Sequence, residues 1–167
     1  IQMFEILRRA FQDGATVSPK EFQQLDEVIE QLEAYLEKIV VPEYQQDKQR
    51  LTFLLRMMVY MHVLRSDLEG VSYALVIRTQ PHIYQVALDF LNILDHYATS
   101  LEFLENAEVI DNFKQELANL KHWTDENRAT LREEVMQYAT LNRLSAARSL
   151  KLLAAKRWLD RLIAHTK

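Results

Sequence analysis

The chain has 167 residues and a formal net charge of −4, with 49% apolar and 26% charged residues. This composition fits one soluble globular domain, or two small ones that share a core, and it excludes a disordered chain. Cysteine is absent, which excludes disulfides, thiolate metal sites and cysteine nucleophiles. Acidic and basic residues are interspersed along the sequence, so no nucleic-acid surface is expected. No apolar run reaches the ~20 residues that span a bilayer.

Glycine and proline are scarce, with two of the first and three of the second. Because these residues interrupt regular structure most strongly, their scarcity predicts long helices. The stretches between them carry apolar residues at spacings of three and four, and no segment keeps the alternation of a strand. The sequence therefore predicts an all-α protein, an elongated antiparallel helical bundle.

The first two predicted helices are separated by Gly14. Ser18 suits an N-cap, and Glu21 three residues later completes a capping box at the start of the second helix. The apolar positions of this helix form a heptad ladder along one face, made of Phe22, Leu25, Ile29, Leu32, Leu36 and Ile39. Pro42 is expected to end the helix.

A third predicted helix runs from Pro42 to Leu68, with Gly70 as its C-terminal stop. Its apolar ladder includes one cation, Arg65. If Arg65 is buried it needs a carboxylate or carbonyl partner, and the alternative is that its side chain reaches water at the end of the bundle. The methionines near Arg65 fit either a core or an adaptable docking face; they are Met57, Met58 and Met61.

The fourth predicted helix starts near Pro81 and keeps its apolar rhythm to Leu104. The fifth is expected to continue as one helix to Tyr138. Its apolar stripe is interrupted by Thr124 and Asn127, which indicates either a defect that sets the register or a place where the helix leaves the core.

The sixth predicted helix follows a turn at 140–144. Asn106 and Ser145 are the expected N-caps of the fifth and sixth helices. The six helices can be grouped as two three-helix units, approximately 1–70 and 79–167, although the sequences of the two halves share little identity.

No catalytic motif stands out. A diiron carboxylate bundle needs a Glu-x-x-His pair on each of two helices, and the chain has none. The glycines cannot form a phosphate-binding loop or a nucleophile elbow. We therefore expect no catalysis, no cofactor and no stoichiometric metal. A metal-dependent enzyme of the carboxylate-bundle kind is the alternative that metal analysis of the purified protein would reveal.

The C-terminal helix carries the pattern arginine, aromatic, leucine, acid, arginine, apolar, two further residues and histidine. It reads Arg157-Trp158-Leu159-Asp160-Arg161-Leu162-Ile163-Ala164-His165. This stretch resembles the last helix of PhoU-type domains, in particular those at the cytoplasmic C-termini of bacterial sodium/phosphate cotransporters. The segment from Leu25 to Leu36 also resembles the second helix of that family, and the helix order fits the whole chain.

The resemblance implies a pair of three-helix bundles. In the family, helices three and six each carry an acid-x-x-x-Asp motif that ligates metal clusters. Here Asp160 is followed by Ala164 at the second position, and Arg56 and Tyr60 stand where the acids of helix three belong. The resemblance therefore does not extend to metal binding. The residues that remain as candidate contacts for a partner or an anion are Arg56, Arg65, Arg157, Asp160 and His165.

The function that the resemblance implies is that of a non-catalytic regulatory or accessory domain in a sodium-dependent phosphate transporter. Residues 1–167 would be one PhoU-like domain of a longer protein, on the cytoplasmic side of the inner membrane. The expected partner is the membrane domain of the same transporter, with a homodimer also open. Neither nucleic acid nor a small-molecule substrate is expected. The alternative is a free-standing helical interaction or scaffold module in signalling.

Overall fold

A computed structural model describes residues 1–41, 43–97 and 106–166. Those ranges hold eight α-helices, one 3₁₀ turn at Leu68–Gly70 and no strand, so the predicted all-α bundle is confirmed. The helices are α1 Gln2–Asp13, α2 Pro19–Glu37, α3 Gln45–Asp67, α4 Tyr73–Ile77, α5 Pro81–Tyr97, α6 Ala107–Glu126, α7 Arg128–Leu141 and α8 Ala146–Thr166. The grouping into two three-helix units stays a prediction.

Local capping residues determine where α1 ends and where α2 begins. Gly14 ends α1 in the left-handed conformation, with φ at 66°, and its N–H donates to the carbonyl of Arg9. Ser18 Oγ accepts from the N–H of Glu21 at 3.3 Å, while the Glu21 carboxylate accepts from the N–H of Ser18 at 3.0 Å. The predicted capping box is confirmed. Arg9 also binds this carboxylate, and the two contacts, Arg9 first, lower the pKa of Glu21.

The connection between α3 and α5 contains a helix that the sequence analysis missed. After the 3₁₀ turn at Leu68–Gly70 the chain forms α4, whose residues Ala74 and Ile77 are fully buried. Gly70 lies within the 3₁₀ turn and does not adopt the left-handed conformation of a helix stop. The predicted end of the fourth helix at Leu104 lies outside the described residues.

The prediction of one continuous fifth helix is wrong. The chain forms α6 and α7 instead, and Asn127 separates them with φ −94° and ψ 10°. The Asn127 side-chain amide donates to the carbonyl of Trp123 at 2.9 Å, which is the local competition with helical bonding that asparagine offers. Thr124 stays buried, and its hydroxyl donates to the carbonyl of Lys121. The predicted caps Asn106 and Ser145 are confirmed, each accepting from backbone N–H groups of the helix that follows.

The buried core lies among α1, α4, α5, α6, α7 and α8, together with the bases of α2 and α3. Its largest fully buried side chains include Trp158, Phe11 and Phe90. From α2 only Leu25 belongs to this core cluster, so the distal part of the α2–α3 hairpin extends away from the core. None of the helices in the described ranges is both long and apolar enough to cross a membrane.

Candidate functional site

Helix α8 presents one apolar face to the core and a polar edge on each side of it. The apolar face follows spacings of three and four, and all of its members are buried: Leu152, Ala155, Leu159 and Leu162. One polar edge meets α3, and the other meets α7. These two edges hold most of the residues that the sequence analysis selected on this helix.

On the edge that meets α3, three residues of α8 contact Asp67. We call this cluster the Asp67 junction, and it consists of Asp67, Trp158, Arg161 and His165. The Asp67 side chain is only 5% exposed. Its carboxylate accepts from Arg161 Nε at 3.2 Å and from His165 Nδ1 at 2.6 Å. Trp158 Nε1 donates to the backbone carbonyl of the same residue at 2.8 Å. The contacts compensate the buried charge and fix α8 against the end of α3.

Gly70 completes this junction because its missing side chain leaves room for the indole. A Cβ at Gly70 would lie 2.5 Å from Trp158 Nε1 and 2.6 Å from its Cδ1. The indole cannot easily retreat, since it packs against Phe11 and Tyr73, with ring centroids 5.9 and 6.2 Å away. The glycine that the sequence marked as a helix stop is therefore a site of close packing.

The edge that meets α7 borders a cavity of about 450 Å³, which we call the basic cavity. It is lined by Arg128, Arg132, Leu153, Lys156, Arg157 and Asp160. Lys156 Nζ contacts Asp160 Oδ2 at 2.8 Å, and the Lys156 side chain is only 8% exposed. The lining thus contains four cationic side chains and one carboxylate.

Two of these cations have no carboxylate partner among the residues that the structure describes. Arg128 binds the Asp125 carboxylate at 2.7 Å, and that carboxylate also accepts from Lys121. These contacts, Lys121 first, lower the pKa of Asp125. In the described part of the chain no acidic group lies within ion-pair distance of Arg132 or Arg157. Arg128 and Arg132 also border an adjoining cavity that contains Asp125, Glu126 and Glu133. The cationic groups of the basic cavity without an ion pair are therefore those of Arg132 and Arg157, among the described residues.

The structure separates the predicted site residues of α8 into two places. Arg157 and Asp160 line the basic cavity, whereas His165 belongs to the Asp67 junction. Arg157 and Asp160 stand three positions apart, a spacing that allows a pair across one turn, but Asp160 binds Lys156, which precedes it by four residues. That pairing leaves the Arg157 guanidinium available at the cavity.

The two predicted arginines of α3 have different environments. Arg65 is 16% exposed and binds both carboxylate oxygens of Asp26, at 2.7 and 3.0 Å, while its guanidinium lies 4.5 Å from the centre of the Phe22 ring. This partly buried arginine thus has a carboxylate partner rather than reaching water at the end of the bundle, and its charge is used inside the fold. Arg56 is exposed on the distal half of the hairpin, outside both sites.

Sequence reasoning missed the residues that complete the two sites. Arg128 and Arg132 stand four apart, so the helix period places them on one face of α7. That spacing was available in the sequence, but the packing of α7 on α8 was not. Asp67 is an acid beside the apolar ladder of α3, and its partner Arg161 lies 94 positions away.

The described residues contain no group of three or more His, Asp or Glu side chains placed to hold a metal ion. The expected absence of metal stays a prediction. A scan against protein-family models and searches of curated proteins and of solved structures found no match.

Proposed function

We propose that this chain is a non-catalytic regulatory domain of a sodium-dependent phosphate transporter, located on the cytoplasmic side of the inner membrane and acting through protein contacts. The transporter setting is supported by the resemblance of the α8 and α2 sequences to PhoU-type domains. The protein-contact part is supported by one observation, an exposed apolar surface on the α2–α3 hairpin.

We call this surface the hairpin face and define it as Val28, Leu32, Tyr35, Phe53 and Tyr60. The α2 members are spaced by four and three residues and the α3 members by seven, so each set lies on one side of its helix. Their exposed fractions run from 40% to 65%. The face is therefore apolar and open to solvent.

Charged pairs join α2 to α3 within the hairpin. His62 Nε2 lies 2.5 Å from Glu33 Oε1, and Arg65 binds Asp26 near the base. These pairs fasten the two helices to each other without using the residues of the hairpin face. In the described part of the chain those apolar residues stay open to solvent.

The size of the hairpin face fits an interaction site. At about 200 Å² for each aromatic side chain, its three half-exposed aromatic residues alone present roughly 300 Å². The largest apolar patch on a typical monomer covers about 300–600 Å² and is often functional. The proposed occupant is the membrane domain of the parent transporter, whose contact with this face would couple the position of the domain to transport.

The test measures phosphate uptake by cells that express the parent transporter, with Phe53→Glu in this domain. Phe53 is 55% exposed, so the charge blocks docking without disturbing the core. The matched control is Val59→Glu, a 63% exposed position on the same helix but off the hairpin face. We expect altered regulation of uptake only for Phe53→Glu, with equal protein levels. Equal uptake by both variants and the parent would count against the proposal, as would a parent gene without a membrane domain.

The same observation supports one second candidate, a free-standing interaction module that pairs through the hairpin face with another copy of itself. Sedimentation velocity over a range of concentrations separates the two. A dimer that Phe53→Glu dissociates, and Val59→Glu does not, would favour the free-standing module. A monomer at all concentrations would favour the transporter domain.

A further inference from the structure

We propose that the basic cavity between α7 and α8 binds a phosphate group, either free inorganic phosphate or the phosphate of a small organic molecule. This inference does not depend on the proposed transporter setting. It rests on the residues that meet in the cavity: Arg132 and Arg157 without carboxylate partners, the buried Lys156, and a single acid, Asp160.

The cations of the cavity match the chemistry of an oxyanion. The planar guanidinium group donates two parallel N–H bonds to a phosphate or carboxylate, and two such groups converge here from neighbouring helices. Lys156 adds a compact ammonium whose long stem is already buried, so little side-chain freedom remains to be lost on binding. A dianion is favoured over a monoanion because two unneutralised guanidinium groups line the cavity.

The cavity is also larger than a phosphate ion requires. A volume of about 450 Å³ lies in the range of pockets that hold small organic ligands. Leu153 and the aliphatic stems of the lining residues offer an apolar wall beside the charges. Inorganic phosphate and a phosphomonoester are therefore both compatible, and the experiment must distinguish them.

Isothermal titration calorimetry of the 167-residue protein at low ionic strength tests the proposal with three probes: inorganic phosphate, adenosine 5′-monophosphate and adenosine. We expect saturable binding of a phosphate-bearing probe and none of adenosine. Stronger binding of the monophosphate than of inorganic phosphate would identify an esterified ligand, and the reverse order would identify the free ion. Absence of saturable binding by both phosphate-bearing probes at millimolar concentration would refute the proposal.

Three variants locate the binding. Arg132→Ala and Arg157→Ala should each weaken phosphate binding by about tenfold, since each removes a charge-assisted contact of an exposed arginine. Asp160→Asn should strengthen it several-fold, because this change removes the negative charge that the described lining residues contribute and releases Lys156. A gain in affinity is a result that damage to the fold would not produce.

The matched control is Arg56→Ala, which removes an exposed arginine of α3 that does not line the cavity. It should leave phosphate affinity unchanged. If Arg56→Ala weakens binding as much as Arg157→Ala, the ion responds to overall charge and the proposed site is wrong. If Asp160→Asn weakens binding while the protein keeps its helical circular dichroism, the assigned role of the lining is equally wrong.

Discussion

Replacing Gly70 with alanine should destabilise the protein, although in a helical segment this change ordinarily stabilises. Gly→Ala in a helix gains about 0.5–1 kcal/mol through reduced chain entropy. The Gly70 backbone has no positive φ, so alanine fits it without backbone strain. What opposes the change is the indole of Trp158, which a Cβ would approach to 2.5 Å, whereas ordinary contact begins at 3.4 Å.

The expected loss of stability in Gly70→Ala follows from moving that indole by about 1 Å within close-packed surroundings. Overpacking of a core costs about 1–3 kcal/mol. The same movement weakens the 2.8 Å hydrogen bond from Trp158 Nε1 to the Asp67 carbonyl, worth about 1 kcal/mol. After the gain in chain entropy is subtracted, Gly70→Ala should lower the free energy of unfolding by about 2 kcal/mol. For a domain of this size, that lowers Tm by about 4–8 °C.

Urea denaturation followed by circular dichroism measures this change, with Ser66→Ala as the control at an exposed position of α3. The control should stay within about 0.5 kcal/mol of the parent. In a Trp158→Leu background, which lacks the aromatic ring that the Cβ would meet, the cost of Gly70→Ala should be smaller. An alanine variant as stable as the parent, or an equal cost in both backgrounds, would refute the close packing of Gly70 on Trp158.

Two further changes test the charged contacts. Asp67→Ala should lower the free energy of unfolding by about 1–3 kcal/mol in urea denaturation, because it removes the carboxylate shared by Arg161 and His165. A loss below about 0.5 kcal/mol would contradict a role of the Asp67 junction in stability. The contacts of Glu21 lower its pKa in the folded protein below the ordinary value of 4.5. Its contribution to the free energy of unfolding is therefore present above pH 4.5 and is lost as pH falls through the pKa of the folded protein. The stability difference between the parent and Glu21→Gln in urea denaturation should therefore shrink below pH 4.5.

The parts of the fold that sequence could predict depend on neighbours within four residues. Ser18 and Glu21 form their capping box through bonds that span three positions, and Gly14 ends its helix through its own φ. Such signals need no knowledge of the tertiary packing. They located the start of α2 and the end of α1, and the same logic located the caps Asn106 and Ser145.

The predictions that failed concern contacts that depend on which helices pack against each other. The choice between Arg157 and Lys156 as the partner of Asp160 cannot be made from spacing, since separations of three and four both place side chains on one face. The packing of α8 buries the Lys156 stem and so favours that partner. The role of Gly70 likewise depends on an indole that lies 88 positions further along the chain.

The distribution of charge shows why composition alone missed the basic cavity. Along the sequence the acids and bases alternate, and the net charge of −4 indicates no surface for an anion. In the folded protein α2 carries many of the acids, and a second cavity beside it has four acids and one cation, Arg65, in its lining: Asp26, Glu27, Glu30 and Glu69 are the acids. The cations of α7 and α8 meet at the other cavity, where Asp160 is the only acid in the lining. Segregation in space thus provides a mildly acidic chain with a locally cationic site, and the opposite effects expected for Arg157→Ala and Asp160→Asn follow from that segregation.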